Sequence, residues 1–199
     1  EIEGIDIMLA IDVSTSMLAE DLKPNRLEAA KDVAAEFING RPNDNIGITL
    51  FAGETFTQCP LTVDHAVLLD MIHNIKCGLI TDGTAVGMGI ANAVTRLKDS
   101  KAKSKVIILL TDGTNNKGDI SPMTAAEIAK SFGIRVYTIG VGTNGMAPYP
   151  YPVGNTVQYV SMPVEIDEKT LTEIAGTTDG NYFPVSYTHL RAHETLMNL

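Results

Sequence analysis

Three oxygen-bearing side chains follow the first apolar run of the chain, at a spacing of two residues. The run 7–11 ends at Asp12, and Ser14 and Ser16 come next at alternate positions. In an extended loop, residues two apart point the same way, so one carboxylate and two hydroxyls can converge on one point. Such hard oxygen ligands suit Mg²⁺ or Mn²⁺ and suit Zn²⁺ or copper poorly. Asp and Ser after a strand are also ordinary turn and capping residues, so this pattern alone leaves a metal site undecided.

A similar arrangement occurs later in the chain. The most hydrophobic run, 106–110, leads through Thr111 to Asp112, and Thr84 lies in a loop that precedes a helix rich in small residues. The carboxyl ends of parallel strands share one edge of a sheet, so these side chains can meet those of the first loop. Together they would supply one Mg²⁺ or Mn²⁺ site of about six oxygens, completed by water. The candidate metal ligands are Asp12, Ser14, Ser16, Thr84 and Asp112.

Strand and helix patterns alternate along the chain, which is typical of an α/β fold with a doubly wound, mostly parallel sheet and helices on both faces. Strands are predicted at 7–11, 45–51, 55–58, 105–111, 134–139 and 181–183, and helices at 25–40, 65–75, 85–97, 122–132 and 168–175. The strand 55–58 is stopped by Cys59 and Pro60, which places it at a sheet edge. The Pro-rich segment 145–160 interrupts the alternation as an inserted loop or hairpin.

The composition limits the class of protein. With 199 residues, of which 44% are hydrophobic and 20% charged, the chain is long enough for one well-buried domain. The formal net charge of −9 and the lack of a Lys or Arg cluster argue against nucleic acid and favour protein partners. No run reaches the roughly 20 apolar residues of a transmembrane helix, so this fragment is not expected to span a membrane. Because the chain begins at Glu1 rather than Met, we expect the native N-terminus and any signal or anchor to lie outside it.

Three motifs, taken in order, resemble the von Willebrand factor A domain and its metal-ion-dependent adhesion site. They are Asp12-x-Ser14-x-Ser16, Gly83-Thr84-Ala85 and Thr111-Asp112-Gly113, and the resemblance covers about residues 4–184. Shorter stretches are similar to the bacterial aerotolerance (Bat) membrane proteins, the BatA type in particular. These stretches are Glu3-Gly4-Ile5-Asp6-Ile7, Ala10-Ile11-Asp12-Val13-Ser14, Phe51-Ala52-Gly53 and Gln58-Cys59-Pro60-Leu61-Thr62.

The resemblance implies a single domain over residues 1–184, with a six-stranded sheet and one antiparallel edge strand. It also implies that hydroxyl oxygens come from Ser14, Ser16 and Thr84, while Asp12 and Asp112 bind the metal directly or through water. Bat-type proteins carry this domain between membrane helices, which implies a periplasmic domain at the bacterial inner membrane, linked to aerotolerance and stress response. The expected function is protein binding rather than catalysis. An Asp or Glu of a partner would bind the metal, adding both charge and oxygen to a site rich in hydroxyls.

Two other functions, phosphoryl transfer and dinucleotide binding, have less support in the sequence than metal-dependent protein binding. The alternative function is Mg²⁺-dependent phosphoryl transfer through Asp12, of the haloacid-dehalogenase type, in which a second Asp acts as general acid. Ser14 stands at that position, and a hydroxyl cannot act as an acid near neutral pH. Residues 140–145 match G-x-G-x-x-G, but the Pro-rich sequence after them cannot supply the helix that a dinucleotide site requires. We interpret that match as accidental.

Two further groups of residues are interpreted as incidental. Four residues could be imagined as zinc ligands, although their spacing matches no structural zinc pattern: Cys59, His65, His73 and Cys77. The tail 185–199 departs from the charged amphipathic helix expected of the family, and we interpret it as a cloning or assembly artefact in which His189 and His193 pair by accident. A chain that ends at Val185 is therefore expected to melt within a few degrees of the full chain.

Overall fold

The structure, a computed structural model, describes residues 4–185. Its strands are β1 (Asp6–Asp12), β2 (Asn45–Phe51), β3 (Thr55–Thr62), β4 (Lys105–Thr111), β5 (Ile134–Val141), β6 (Gly145–Val153), β7 (Thr156–Val164) and β8 (Tyr182–Val185). Its helices are α1 (Arg26–Asn39), α2 (His65–His73), α3 (Val86–Leu97), α4 (Pro122–Ser131) and α5 (Glu168–Thr177), and a 3-10 turn, Thr15–Leu18, follows β1. Every helix and strand predicted from the sequence is present. Most of their first and last residues differ from the predicted ones by a few positions, because capping and fraying determine where an element ends.

Six of the strands form one sheet in the order β3-β2-β1-β4-β5-β8. β3 is antiparallel to β2, and the other neighbouring strands are parallel. The predicted α/β fold, with a mostly parallel six-stranded sheet and one antiparallel edge strand, is confirmed. β1 lies between β2 and β4, so the strand that ends at Asp12 is central and all seven of its residues are buried.

Helices cover both faces of this sheet, as predicted. Side chains of β1 alternate, so that Ile7, Leu9 and Ile11 pack with α1 and α2 while Met8 and Ala10 pack with α3, α4 and α5. Fully burying an aliphatic side chain stabilises a fold by about 1.5–3 kcal/mol, so the central strands form a rigid base for the loops at their ends.

The predicted end of the edge strand at Gln58 is wrong. β3 continues through Cys59 and Pro60 to Thr62. Its pairing with β2 is irregular between Ile46 and Thr49. A strand at an edge needs ladder bonds on one side only, so a residue without an N–H is tolerated there.

The inserted segment is a hairpin, and it is longer than predicted. β6 and β7 form a separate two-stranded antiparallel sheet that ends at Val164 rather than at residue 160. Residues 140–145 lie in the end of β5, a connecting turn and the start of β6, so no helix begins there. This confirms that the G-x-G-x-x-G match is accidental.

Other expectations concern the membrane and the tail. No helix within residues 4–185 is both long and apolar enough to cross a membrane. The expectations for the tail, including the His189 and His193 pair, concern residues beyond Val185 and lie outside the described residues.

Candidate metal centre

The carboxylate at the end of β1 is buried and held from two sides. Asp12 has no exposed surface. Its Oδ1 accepts a hydrogen bond of 2.9 Å from the backbone N–H of Ser14, and its Oδ2 accepts one of 2.7 Å from the hydroxyl of Thr111. Thr111 is the last residue of β4, so the neighbouring strand fixes the orientation of this carboxylate.

A chain of short hydrogen bonds connects the first loop to the end of β4. The Oγ atoms of Ser14 and Ser16 lie 3.0 Å apart, and the Ser16 hydroxyl donates to Oδ2 of Asp112 at 2.7 Å. Oδ1 of Asp112 accepts from the N–H and the hydroxyl of Thr114, at 3.0 and 2.6 Å. Four of the five candidate ligands therefore belong to one hydrogen-bonded group at the carboxyl edge of the sheet.

Thr84 lies in a loop that joins both parts of this group. Its carbonyl oxygen accepts from the N–H groups of Asn116 and Lys117, in the segment that follows Asp112. Two residues before it, Asp82 accepts from the N–H and hydroxyl of Thr15, at 3.2 and 3.0 Å. The loop that carries Thr84 thus lies against the first loop and against the loop after β4.

The Thr84 hydroxyl is buried and makes no hydrogen bond within the part of the chain that the structure describes. The residue is 3% exposed, and none of the described residues 4–185 hydrogen-bonds to its hydroxyl. A buried polar atom left unpaired costs about 1–3 kcal/mol. Coordination of a cation would satisfy this unpaired oxygen. The Thr84 hydroxyl therefore fits the predicted set of metal ligands.

The two carboxylates interact unfavourably when both are ionised. Burial first, and then the negative charge of Asp112, raises the pKa of the Asp12 carboxyl to about 7, although hydrogen bonds from Ser14 and Thr111 oppose the shift. A cation between the two groups would favour their ionised forms. The charge distribution therefore suits a divalent metal ion.

A buried arginine, which the sequence analysis did not identify, also contacts this centre. Arg26 is 2% exposed, and its Nη1 donates to Oδ2 of Asp112 at 3.2 Å. Its Nε and Nη2 donate to the two carboxylate oxygens of Asp21, at 2.8 and 2.7 Å. A side chain at position 142 would collide with it, because a Cβ on Gly142 would lie 2.7 Å from its Cζ. The available signal was a cation in the first turn of α1, where the helix dipole disfavours positive charge.

The zinc alternative is wrong for the described residues. No group of three or more His, Cys, Asp or Glu side chains within 4–185 is arranged to hold a metal ion. Cys59 and Cys77 are free thiols, and His65 bonds the carbonyl oxygen of Asp44. Cys77 instead supports the candidate centre, because its Sγ donates to the carbonyl oxygen of Ser14 at 3.4 Å. Its burial first, and then the charge of Asp12, raises the pKa of this thiol to about 12.

An open cleft of about 320 Å³ lies beside the candidate centre. One wall contains Ser16 and Asp112, and the other contains Tyr149 and residues 162–164 of the hairpin. The Tyr149 hydroxyl donates to the carbonyl oxygen of Thr15 at 3.0 Å, which holds the hairpin against the first loop. Of the five candidate ligands, Ser16 and Asp112 line this cleft, so a group from another molecule could approach the candidate centre at these two residues.

Comparison with known proteins identifies related sequences and structures. The family model described as von Willebrand factor type A domain matches residues 6–195. An uncharacterized protein of Borreliella burgdorferi is 31% identical over 185 residues, covering 92% of this chain and 54% of that protein. The chain spans about half the length of such curated relatives.

Two crystal structures from Bacteroides match closely in fold. One is an aerotolerance-related membrane protein from Bacteroides fragilis with multiple mutations to serines, with a TM-score of 0.87, 33% identity, and coverage of 98% of this chain and 99% of that chain. The other is the conserved hypothetical protein BatB from Bacteroides thetaiotaomicron, with a TM-score of 0.87, 33% identity, and coverage of 98% and 96%.

Proposed function

The chain belongs to the von Willebrand factor type A domain family, and from this membership we propose that it is a divalent-metal-dependent protein-binding domain of a membrane-anchored bacterial protein. The observation that carries the proposal is the group of oxygen donors at the carboxyl edge of the sheet. Asp12, Ser14, Ser16 and Asp112 are joined there by hydrogen bonds, and the cleft beside them is open.

The proposed ligands are the hydroxyl oxygens of Ser14, Ser16 and Thr84 and the carboxylates of Asp12 and Asp112, bound directly or through water. The donor set fits Mg²⁺ or Mn²⁺, because every donor is a hard oxygen and two of them carry charge. When bound, the ion would supply a positive centre that attracts an oxygen donor from outside the chain. The chain's own residues hold the donors in place, through Thr111 on Asp12 and Thr114 on Asp112.

We propose that the external donor is an Asp or Glu of a partner protein. Two carboxylates only neutralise a divalent ion, and three neutral hydroxyls add no charge, so an incoming carboxylate is still attracted at short range. The chain carries a formal charge of −9 and would otherwise repel an acidic partner. The metal ion would therefore decide whether the encounter is favourable.

The similar Bacteroides protein is described as an aerotolerance-related membrane protein. On that basis we propose a link to aerotolerance or stress response and a periplasmic position at the bacterial inner membrane. The proposal includes no catalytic step. Phosphoryl transfer through Asp12 has no support at the position of the general acid, because the Ser14 hydroxyl lies against the Ser16 hydroxyl there. An assay with a generic phosphate ester tests this alternative.

Calorimetric titration with MgCl₂ tests the metal site. Wild type is expected to bind one equivalent, and Asp12→Asn none, because the substitution removes one of only two charged ligands. Asp32→Asn is the matched control, since Asp32 is exposed on α1. Binding by Asp12→Asn with unchanged stoichiometry and affinity would contradict the proposal.

Capture of membrane proteins with and without Mg²⁺ tests the partner. The captured protein should be released by a chelator, return with Mg²⁺ or Mn²⁺, and lose binding when one of its acidic residues is neutralised. Binding that resists the chelator and survives Asp12→Asn would place the interface elsewhere.

A further inference from the structure

The two edges of the hairpin differ in their ability to pair with another strand. Pro148, Pro150 and Pro152 occupy alternate positions of β6, opposite Ser161, Tyr159 and Val157 of β7. The Pro148 carbonyl oxygen accepts from the N–H of Glu20 at 2.9 Å, so it points away from β7 and towards the domain. In antiparallel pairing the N–H and C=O of a residue point to the same side. The outer edge of β6 therefore lacks three successive donors and is closed to a further strand.

The outer edge of β7 is open. Val157, Tyr159 and Ser161 face the prolines in pairs that exchange no ladder bonds, so their own N–H and C=O groups also point away from the partner strand. None of these groups bonds to any other part of residues 4–185. Val157 and Tyr159 are 57% and 63% exposed. Pro163 ends this row of donors near the base of the hairpin.

This edge is also uncharged and apolar. Residues 145–164 include no charged side chain, although the whole chain carries a formal charge of −9. Most of the large hydrophobic residues exposed in 4–185 lie here: Met146, Tyr151, Val153, Val157, Tyr159, Val160 and Met162. Two copies of the chain repel each other through their net charge, and the hairpin is where their approach costs least. A long, exposed, apolar edge strand is a template for association.

We propose that β7 pairs antiparallel with β7 of a second copy, about a two-fold axis at Tyr159. In this register Tyr159 lies opposite Tyr159 of the second copy, and Val157 lies opposite Ser161 in both directions. All outward N–H and C=O groups of the three residues are then satisfied by about six hydrogen bonds, and the two hairpins form one four-stranded sheet. Residues 151–160 are exposed throughout, so the tips can meet without contact between the sheets of the two domains.

Sedimentation equilibrium of the full chain tests the pairing. Wild type should approach about 43 kDa at high concentration, twice the 21.3 kDa of one chain. Tyr159→Lys should stay monomeric, because like charges would lie opposite each other at the axis, and so should Tyr159→Glu. An equimolar mixture of these two variants should dimerise again. Tyr159→Ser, which keeps the N–H and adds no charge, is the control and should weaken the dimer by less than about tenfold.

A backbone variant separates strand pairing from side-chain contact. Tyr159→Pro removes an N–H that points away from β6, so the hairpin ladder stays intact, as it does at the three prolines of β6. This variant should also be monomeric, with an unchanged circular dichroism spectrum. A wild-type chain that is monomeric at all concentrations overturns the proposal. A dimer that persists in both Tyr159→Lys and Tyr159→Pro overturns it as well and places a different face of the chain at the interface. A charge-swapped mixture that stays monomeric also overturns it.

Discussion

Replacement of Arg26 by Met tests whether one buried cation holds the loops around the candidate centre. The side chains of Arg26, Asp21 and Asp112 are 2%, 3% and 1% exposed. Removal of one partner of a buried ion pair costs about 3–5 kcal/mol, because the remaining charge is left without compensation. Met keeps much of the side-chain volume, so a cavity adds little. A loss of that size would lower the melting temperature by about 6–20 °C in a domain of this length.

Urea unfolding followed by circular dichroism, in the presence of a chelator, measures the loss. Lys23→Met is the matched control, because Lys23 lies in the loop just before α1, its side chain is 70% exposed, and its Nζ is 3.8 Å from a carboxylate oxygen of Glu20. An exposed ion pair of this kind contributes between zero and about 1 kcal/mol to the free energy of unfolding. The stability of Arg26→Lys should fall between those of wild type and Arg26→Met, since an ammonium group keeps the charge but cannot make the bidentate contact to Asp21.

A double variant distinguishes an orphaned charge from poor packing. In Asp21→Asn/Arg26→Met, one of the two uncompensated carboxylates is removed together with the arginine. The double variant should therefore be more stable than Arg26→Met alone, because the two substitutions are coupled. Arg26→Met within about 1 kcal/mol of wild type, or a double variant less stable than the single one, would refute the reasoning.

Three further predictions concern titration and metal affinity. Burial raises the pKa of Asp21, but hydrogen bonds from Arg26 and Thr143 and the arginine charge outweigh it and hold the pKa below its ordinary value. The pair therefore stabilises the fold above about pH 4 and loses this contribution as the pH falls through the folded-state pKa, so the stability gap between wild type and Arg26→Met should narrow in acid urea titrations. Thr84→Val should fold normally but bind Mg²⁺ more weakly by calorimetry, whereas Thr95→Val, on the exposed side of α3, should not. The Cys77 thiol, with its pKa raised to about 12, should react with iodoacetamide at pH 8 at least about a hundredfold more slowly than glutathione, as measured by mass spectrometry; equal rates would contradict the burial argument.

The sheet was predictable because its central strands have only one consistent interpretation. β2 and β4 begin and end at the residues predicted from the sequence, and both are buried along almost their whole length. A strand buried on both faces is continuously apolar and is bounded by polar residues, so its ends are visible locally. β3 was predicted too short, because an edge strand is constrained on one side only and Pro60 does not stop it.

The common location of the two candidate carboxylates was predictable for a different reason. Asp12 and Asp112 end or directly follow parallel strands, and parallel strands deliver such residues to the same edge. The residues that hold them were not predictable. Thr111 is 99 positions from the carboxylate it bonds, and Arg26 is 86 positions from Asp112. Thr111 belongs to a recognised motif and Arg26 is a cation in the first turn of α1, but neither feature identifies a partner so distant in the sequence, which only the tertiary structure supplies.

The position of the two serine hydroxyls depends on the same kind of distant contact. Thr15 lies between Ser14 and Ser16, and its carbonyl oxygen accepts from Tyr149, 134 positions away in the hairpin. Its N–H and hydroxyl donate to Asp82, 67 positions away in the loop that carries Thr84. The first loop is thus held on one side by the hairpin and on the other by the loop of a further candidate ligand. A change in the hairpin would therefore reach the loop of the two serines through the Tyr149–Thr15 hydrogen bond, and the segment just after it through the bond from the Glu20 N–H to the Pro148 carbonyl oxygen.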